Sequence, residues 1–240
     1  NRNMKPKIVL LSSDTPHHRF FINKMLEDNL PLDLAIFEEK KHVSKFSTGP
    51  FLEEEEAEFE KIRFNQIINI QSINCETKSF FDINDEKVLD TLAKRQVNYG
   101  IVFGTGLIKN PLIKYFNGNL INIHRGIAEE YRGLDSDLWS IYHNDFESIG
   151  VTIHKVDPDL DTGDISYSQS LVLANNMKIF QLRYHTTLLA YDLVKQTISD
   201  FHNKKPKFRK QNKIGRYYSS MPIELKIGLA EKFENYVQRI

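Results

Sequence analysis

The chain has 240 residues, of which 40% are hydrophobic and 27% are charged, enough for one large domain or for a smaller domain with an appendage. Lys and Arg together number 32, as do Asp and Glu, which argues against nucleic acid as a partner, because nucleic-acid-binding proteins usually carry a basic excess. The single cysteine, Cys75, rules out an intrachain disulfide and predicts a cytoplasmic protein, and no stretch approaches the roughly 20 apolar residues that span a membrane.

The first half of the sequence alternates between short apolar runs and helical patterns. Dense apolar runs are typical of buried parallel strands, and they occur at residues 7–13, 32–38, 67–70, 99–104 and 120–124. Between them, capped or amphipathic patterns predict helices that begin near Pro16, Leu52, Asn84 and Pro111. This alternation predicts an open α/β sheet that is mostly parallel.

The second half predicts the rest of this domain and a C-terminal appendage. A helix at residues 134–143 precedes two strands, at 150–156 and 165–173, which lie so close along the chain that we expect the sheet to become mixed. The longest helical pattern covers residues 177–202. Beyond it the composition turns basic and polar, with a predicted hairpin at 213–221 and a terminal helix. We therefore divide the chain into residues 1–202 and an appendage at residues 203–240.

Two polar residues, Asn122 and His124, end the predicted strand at residues 120–124. Side chains two positions apart in a strand point to the same face, and buried polar groups need partners. The two side chains therefore either satisfy each other in the core or line a site. In open α/β sheets, sites form outside the carboxyl ends of the strands, which is where this pair lies.

The loop at residues 156–164, with sequence VDPDLDTGD, could complete such a site. If its Asp161 lay beside His124, we would expect the carboxylate to raise the pKa of the imidazole. The amide of Asn122 would then donate to a developing oxyanion, while His124 moves a proton. This set suits acyl-type transfer to an amine that attacks directly, without a serine or cysteine nucleophile. The alternative interpretation of the loop is a solvated turn or a cation site.

The motifs INIHRG, YRG and GVTIHKVDPDLDTGDI, in that order, resemble the formyltransferases that use 10-formyltetrahydrofolate. This family includes glycinamide ribonucleotide and methionyl-tRNA formyltransferases, and the resemblance covers residues 99–172. It implies a Rossmann-like domain, with a mixed, mostly parallel sheet flanked by helices, that binds folate in a cleft and needs no metal. It also implies that Asn122, His124 and Asp161 are catalytic. Many relatives have a loop with Ser and Pro after the histidine, where this chain has RGIAEEYRG.

The resemblance also implies which residues bind the folate, namely Thr105, Gly106, Leu107, Lys109, Asp157, Asp159 and Leu160. The acceptor-binding residues are suggested by their own chemistry, because they suit an anionic substrate; these are Thr15, His17, His18, Arg125, Tyr131 and Arg132. The alternative is that surface Arg and Tyr side chains are merely solvated or packed. In the acceptor-binding interpretation, the turn DTPHHRFF cradles a diphosphate at the positive end of its helix. The alternative is that Phe20 and Phe21 pack in the core while the two histidines are exposed.

The length of the C-terminal segment bears on the choice of acceptor. Transfer RNA formylation normally comes with a sizeable C-terminal nucleic-acid-binding domain, and about 38 residues follow His202 here. The chain is more similar to the short sugar N-formyltransferases. We therefore expect a nucleotide-linked amino sugar as acceptor, with dTDP as the nucleotide and an amino-dideoxy sugar destined for lipopolysaccharide O-antigen.

Three further expectations accompany this assignment. The appendage, which contains Tyr217 and Tyr218, is expected to make a homodimer interface, since a lone hairpin is marginal unless packed. His154, a lone histidine within a strand, is expected to be a structural group. The rival functions are a formyltransferase for a ribonucleotide amine such as glycinamide ribonucleotide, and a non-catalytic folate or nucleotide-sugar binding module.

Overall fold

The computed structural model describes residues 6–203 and 205–240. Its strands are β1 Ile8–Ser12, β2 Leu32–Glu38, β3 Thr77–Phe80, β4 Tyr99–Phe103, β5 Leu120–His124, β6 Tyr131–Gly133, β7 Gly150–Lys155, β8 Ile165–Ser170 and β9 Arg216–Tyr218. Its helices are α1 Pro16–Glu27, α2 Glu53–Ile67, α3 Glu86–Arg95, α4 Asn110–Phe116, α5 Ser136–Tyr142, α6 Leu182–His202, α7 Ile223–Lys226 and α8 Leu229–Val237.

Within the described part of the chain, seven strands form one sheet in the order β3-β2-β1-β4-β5-β7-β8. The first five run parallel, whereas β7 is antiparallel to β5 and β8 is antiparallel to β7. The strand order reverses between β1 and β4, so a crevice opens at the carboxyl ends of these strands. This topology confirms the predicted Rossmann-like α/β fold with a mixed, mostly parallel sheet.

Helices cover both faces of this sheet, which explains why its central strands are almost continuously apolar. On one face, Phe21 and Met25 of α1 and Val194 of α6 pack against the strands. On the other face, residues of α3 and α4, such as Leu92 and Phe116, form a second cluster. All of these side chains are buried. For the described residues, no helix combines the length and hydropathy that crossing a bilayer requires.

The strand predicted at residues 67–70 does not form. Ile67 ends α2, and Ile70 instead packs in a cluster with Phe20 and Phe64. These residues are apolar because they end a helix or pack against helices, and not because they form a strand. The sheet edge is made by β3, whose sequence TKSF is mostly exposed and lacks an apolar run.

The hairpin predicted at residues 213–221 is also absent from the structure. The single strand β9 pairs in parallel with β6, far away in the sequence. Two glycines permit this close approach. A Cβ atom at Gly133 would lie 2.1 Å from the carbonyl oxygen of Tyr218, and one at Gly215 would lie 2.2 Å from that of Ala128.

The predicted terminal helix forms as α8, and it packs on the body of the protein. Phe233 and Val237 of α8 share a buried cluster with Ile141 of α5 and Leu182 of α6. The division of the chain at residue 202 stays a prediction. In the structure, the two parts are joined by this apolar core.

If the C-terminal segment folds as one unit with the body, Phe233→Ala should destabilise the whole protein. Phe233 is fully buried, and truncating such a side chain leaves a cavity, so we expect the free energy of unfolding to fall by about 3–5 kcal/mol. The control is Val43→Ala, because Val43 is 83% exposed and lies outside the C-terminal segment. Denaturant titration followed by tryptophan fluorescence and circular dichroism checks this. A main transition unchanged by Phe233→Ala would contradict it.

Candidate active site

The candidate site is a cavity of about 310 Å³ at the carboxyl ends of the central parallel strands. Its walls come from the first turn of α1, the loop after β4, the end of β5, the start of α5 and the loop after β7. A cavity of this size at a reversal of strand order is typical of a small-molecule site.

Asn122, His124 and Asp161 meet in this cavity. His124 Nδ1 lies 3.5 Å from Asp161 Oδ2, and Asn122 Nδ2 donates to Asp161 Oδ1 at 3.4 Å. The backbone amide of Gly133 donates to Asp161 Oδ2 at 2.9 Å. His124 and Asp161 are both buried, so the carboxylate is held by protein groups.

His154 joins these three side chains, although the sequence alone suggested a structural role. The antiparallel register of β5 and β7 places it directly opposite Asn122. Its Nε2 lies 3.3 Å from Asp161 Oδ1 and 3.2 Å from Asn122 Nδ2, while its Nδ1 donates to the Lys155 carbonyl at 2.7 Å. Strand register is not visible in a single sequence, so no sequence signal identified this residue.

The hydrogen bonds of His124 determine which ring nitrogen carries its proton. Nε2 lies 2.7 Å from the carbonyl oxygen of Tyr131, and a carbonyl only accepts, so Nε2 is the donor. In the neutral ring, Nδ1 is therefore unprotonated and faces Asp161. This tautomer leaves Nδ1 free to take up a proton inside the cavity.

Burial sets the charge states of this pair. It lowers the pKa of His124 below its ordinary value and outweighs the opposing effect of the Asp161 charge. The Asp161 carboxylate raises this pKa as expected, but burial lowers it by more, so the net shift is downward. Burial alone would raise the pKa of Asp161, but the His124 and His154 imidazoles hold it well below its usual range. At neutral pH, a neutral imidazole thus stands beside an ionised carboxylate.

Most of the residues expected to bind folate line one wall of the cavity. These are Thr105, Gly106, Leu107, Asp157, Asp159 and Leu160. Lys109 is not among the lining residues, and its backbone amide donates to the Asn84 side chain at 2.7 Å.

A buried carboxylate at the end of β2 holds the loop after β4 in place. Glu38 is only 7% exposed, and its Oε2 accepts from the Gly106 amide at 2.6 Å. Its Oε1 accepts from the Ile83 amide at 3.0 Å. One side chain thereby ties the cavity wall to the turn before α3.

Asn84, which the sequence suggested as the cap of α3, supports the same loop. Asp85 caps the helix instead, by accepting from the Lys87 amide at 2.9 Å. The Asn84 side chain donates to the Leu107 carbonyl at 3.0 Å as well as accepting from Lys109. The wall is therefore fixed from two sides by side chains that bond its backbone.

The first turn of α1 contributes two buried histidines, contrary to the interpretation that they are exposed. His17 and His18 both line the cavity, and Thr15 Oγ1 bonds their Nδ1 atoms at 3.0 and 2.9 Å. Burial lowers the pKa of His17 well below its ordinary value and that of His18 to about 3, so both rings are neutral. His18 packs edge-on against Phe103, and within the described residues its Nε2 has no hydrogen-bond partner.

Among the residues expected to bind the acceptor, Arg125 lines the cavity. Its Nη2 donates to Asp137 Oδ2 at 2.8 Å, and its Nε donates to Thr186 Oγ1 at 3.0 Å. The guanidinium is thus oriented by α5 on one side and α6 on the other. Such a fixed, partly exposed cation can bind an anionic or hydroxyl-rich ligand.

The structure does not bring Tyr131 and Arg132 into the cavity. The Tyr131 ring is buried and stacks on Tyr218 with centroids 5.4 Å apart. The Arg132 guanidinium donates to the carbonyls of Gly215 at 2.6 Å and Leu160 at 2.9 Å. Both side chains therefore secure the C-terminal strand and the aspartate loop.

The cavity wall carries more carboxylates than fixed cations. Sequence reasoning missed Asp135 and Asp137, at the start of α5, which lie on the wall together with Arg125 and the aspartates of the loop after β7. Their position right after the YRG motif was the available signal. This acidic wall favours an amine near the reacting centre.

No group of three or more His, Cys, Asp or Glu side chains among the described residues could hold a metal ion.

Comparisons with known proteins connect this geometry to a family. A family described as formyl transferase matches residues 54–187. Methionyl-tRNA formyltransferase from Finegoldia magna is 31% identical over 146 residues, which cover 58% of this chain and 47% of that protein. The chain thus spans about half the length of the curated relatives it matches.

Solved structures share the fold at low sequence identity. The formyltransferase PseJ from Anoxybacillus kamchatkensis, in complex with UDP-4,6-dideoxy-4-formamido-L-AltNAc and tetrahydrofolate, has a TM-score of 0.56 and 19% identity, with 93% of this chain and 98% of that chain covered. Glycinamide ribonucleotide transformylase 1 from Symbiobacterium toebii has a TM-score of 0.62 and 14% identity, with 88% and 96% covered.

The hydrogen bonds of Glu38 predict that Glu38→Ala loosens the wall after β4. The change removes the acceptor of one buried and one partly buried backbone amide, so we expect the free energy of unfolding to fall by about 1–3 kcal/mol. Amide exchange at Gly106 and Ile83 should also accelerate, which hydrogen exchange followed by NMR can measure. Glu39→Ala is the matched control, since the neighbouring Glu39 is exposed. Equal exchange in the two variants would argue against this role.

Proposed function

Because the chain belongs to the formyl transferase family, we propose that it transfers the formyl group of 10-formyltetrahydrofolate to an acceptor amine. The observation that carries the proposal is the convergence of Asn122, His124 and Asp161 in one buried corner of the cavity. A neutral base, an amide donor and an ionised carboxylate are the groups that such a transfer needs.

The reaction begins when the acceptor amine attacks the formyl carbon, forming a new C–N bond and a tetrahedral oxyanion. Asn122 Nδ2 donates to this oxyanion. His124 Nδ1, unprotonated because Nε2 is committed to the Tyr131 carbonyl, accepts the proton that the amine loses. The resulting imidazolium is stabilised by Asp161, 3.5 Å away.

Collapse of the intermediate breaks the bond between the formyl carbon and N10 of the folate. The imidazolium returns its proton to N10, so tetrahydrofolate leaves and the acceptor carries a formamide. His154 Nε2 lies 3.2 Å from the Asn122 amide nitrogen and 3.3 Å from the Asp161 carboxylate, so the ring helps to position the oxyanion donor and the carboxylate together. Proton transfer by a positioned group and oxyanion stabilisation are each worth roughly 10²–10⁴ in rate.

We place the folate on the wall made by the loop after β4 and the aspartate loop after β7, with Thr105, Gly106 and Leu107 on one side and Asp157, Asp159 and Leu160 on the other. Glu38 and Asn84 support this placement by fixing the backbone of the first loop. Lys109 remains a proposed contact at the edge of this wall.

For the acceptor we propose a nucleotide-linked amino sugar, with a dTDP-linked amino-dideoxy sugar as the leading candidate. The carboxylate-rich wall suits its amine. Arg125 supplies a fixed cation for its diphosphate, and the proposed contacts Thr15, His17 and His18 lie at the positive end of α1. The complex of PseJ with a UDP-linked 4-formamido sugar and tetrahydrofolate supports the same class.

The cellular setting is part of the proposal. We propose a cytoplasmic enzyme of lipopolysaccharide O-antigen biosynthesis that acts as a homodimer through its C-terminal segment. Exposed apolar side chains there, Ile227 at 80% and Ile240 at 61% exposure, support an interface.

A second candidate acceptor is a ribonucleotide amine such as glycinamide ribonucleotide. The fold similarity to glycinamide ribonucleotide transformylase 1 favours it. Because some relatives are methionyl-tRNA formyltransferases, methionyl-tRNA must also be tested as an acceptor. We nevertheless expect no nucleic acid partner.

The deciding experiment supplies 10-formyltetrahydrofolate with each acceptor in turn: dTDP- and UDP-linked amino-dideoxy sugars, glycinamide ribonucleotide and methionyl-tRNA. We expect a formyl adduct, detected by mass spectrometry, on a nucleotide-linked amino sugar and not on the other acceptors. Adduct on the ribonucleotide or the tRNA would change the acceptor class. Binding of tetrahydrofolate with no transfer to any acceptor would favour a binding module.

The mechanism predicts that His124→Asn lowers kcat by about 10³-fold, because the proton acceptor is lost. Folate affinity, measured by calorimetry with 5-formyltetrahydrofolate, should change little, since the folate wall is untouched. His42→Asn, in an exposed loop, is the control. A variant that keeps wild-type kcat would remove His124 from the chemistry.

A further inference from the structure

The backbone of Asp161 adopts a conformation that its side chain disfavours. Its φ angle is +55°, in the left-handed region that residues with a Cβ atom rarely occupy. Asp161 is nevertheless buried and meets His124, His154 and Asn122 at once. Surrounding contacts must therefore hold this turn in place.

A side chain from the C-terminal segment makes those contacts. Gln211 Nε2 donates to the carbonyl of Asp161 at 2.8 Å and to the carbonyl of Gly163 at 3.0 Å. On the other side of the turn, a Cβ atom at Gly163 would lie 1.8 Å from the Lys155 carbonyl oxygen. The turn is thus held between Gln211 and the end of β7.

The orientation of the Gln211 amide has a cost. Its Oε1 is buried and has no hydrogen-bond partner within the described residues. A flipped amide would place this oxygen against the carbonyls of Asp161 and Gly163, so the orientation is determined.

The segment that carries Gln211 is itself anchored on both sides. Arg209 exchanges two backbone hydrogen bonds with Ile165, at 2.8 and 3.0 Å, and its guanidinium pairs with Glu129. After Gln211, Gly215 presses against the backbone of Ala128. The backbone on both sides of Gln211 is therefore held in place.

We propose that Gln211 is a positioning residue for formyl transfer, which holds the left-handed turn so that the Asp161 carboxylate reaches His124. This role rests on the proposed function. It makes the segment after residue 203 part of the active site, although Gln211 contacts no substrate. A displacement of about 1 Å in a catalytic group can cost roughly 100-fold in rate, so loss of the two bonds should be visible in kcat.

The test compares Gln211→Met, which keeps the shape and removes the donors, with Gln196→Met as control. Gln196 lies on the exposed face of α6, where it bonds Asp200. For the fastest acceptor in the panel above, Gln211→Met should lower kcat by about 10- to 100-fold with both KM values within about twofold. Wild-type kcat in Gln211→Met would overturn the proposal.

A second measurement needs no acceptor. The imidazole ¹⁵N resonances of His124, assigned with His124→Asn, report the environment of Nδ1. They should shift in Gln211→Met and stay in place in Gln196→Met. Unmoved resonances in Gln211→Met would overturn the positioning role even if kcat fell. If wild type formylates no acceptor, the proposed function fails, while this spectrum still decides the role of Gln211.

A third variant guards against misfolding. Gln211→Lys keeps an N–H donor that can reach the two carbonyls, so its kcat should exceed that of Gln211→Met by about fivefold or more. If Gln211→Met does not fold, the comparison passes to Gln211→Lys and wild type. A folded Gln211→Lys with kcat no higher than that of Gln211→Met, or about 100-fold below wild type where Gln211→Met does not fold, would contradict the proposal.

Discussion

The carboxylate of Asp161 is the constraint on which the site depends. A buried, ionised carboxylate is stable only if polar groups surround it. Asp161 accepts from the Asn122 amide and the Gly133 backbone N–H, and the imidazoles of His124 and His154 lie within 3.5 Å of it. The partners come from three separate strands, β5, β6 and β7. Satisfying one charge therefore brings β5, β6, β7 and the loop after β7 to a single point.

The same constraint couples structure to chemistry. Because His124 is buried and its Nε2 is bonded to a carbonyl, its remaining nitrogen is an unprotonated acceptor beside a negative charge. The Asp161 charge that would stabilise a protonated His124 is therefore in place before any substrate binds. Water is replaced by fixed groups, so little reorganisation is required when charge develops.

The C-terminal segment has a larger part in this arrangement than its composition indicates. It contributes α8 to the apolar core, β9 to the pairing with β6, and Gln211 to the turn of Asp161. The glycines of β6 and of the segment allow the backbones to touch. This basic, polar stretch of sequence thus supports the part of the cavity that holds Asp161.

The apolar runs along the chain were enough to predict the α/β fold, since strands buried on both faces are continuously apolar. The order of the motifs predicted that Asn122, His124 and Asp161 would meet in one site. The sequence could not reveal His154, because strand register depends on pairing between distant segments. It also could not reveal Glu38, Gln211 or the parallel β9, whose partners are backbone atoms far along the chain. The net direction of the His124 pKa was likewise decided by burial, which exists only once the tertiary structure excludes water.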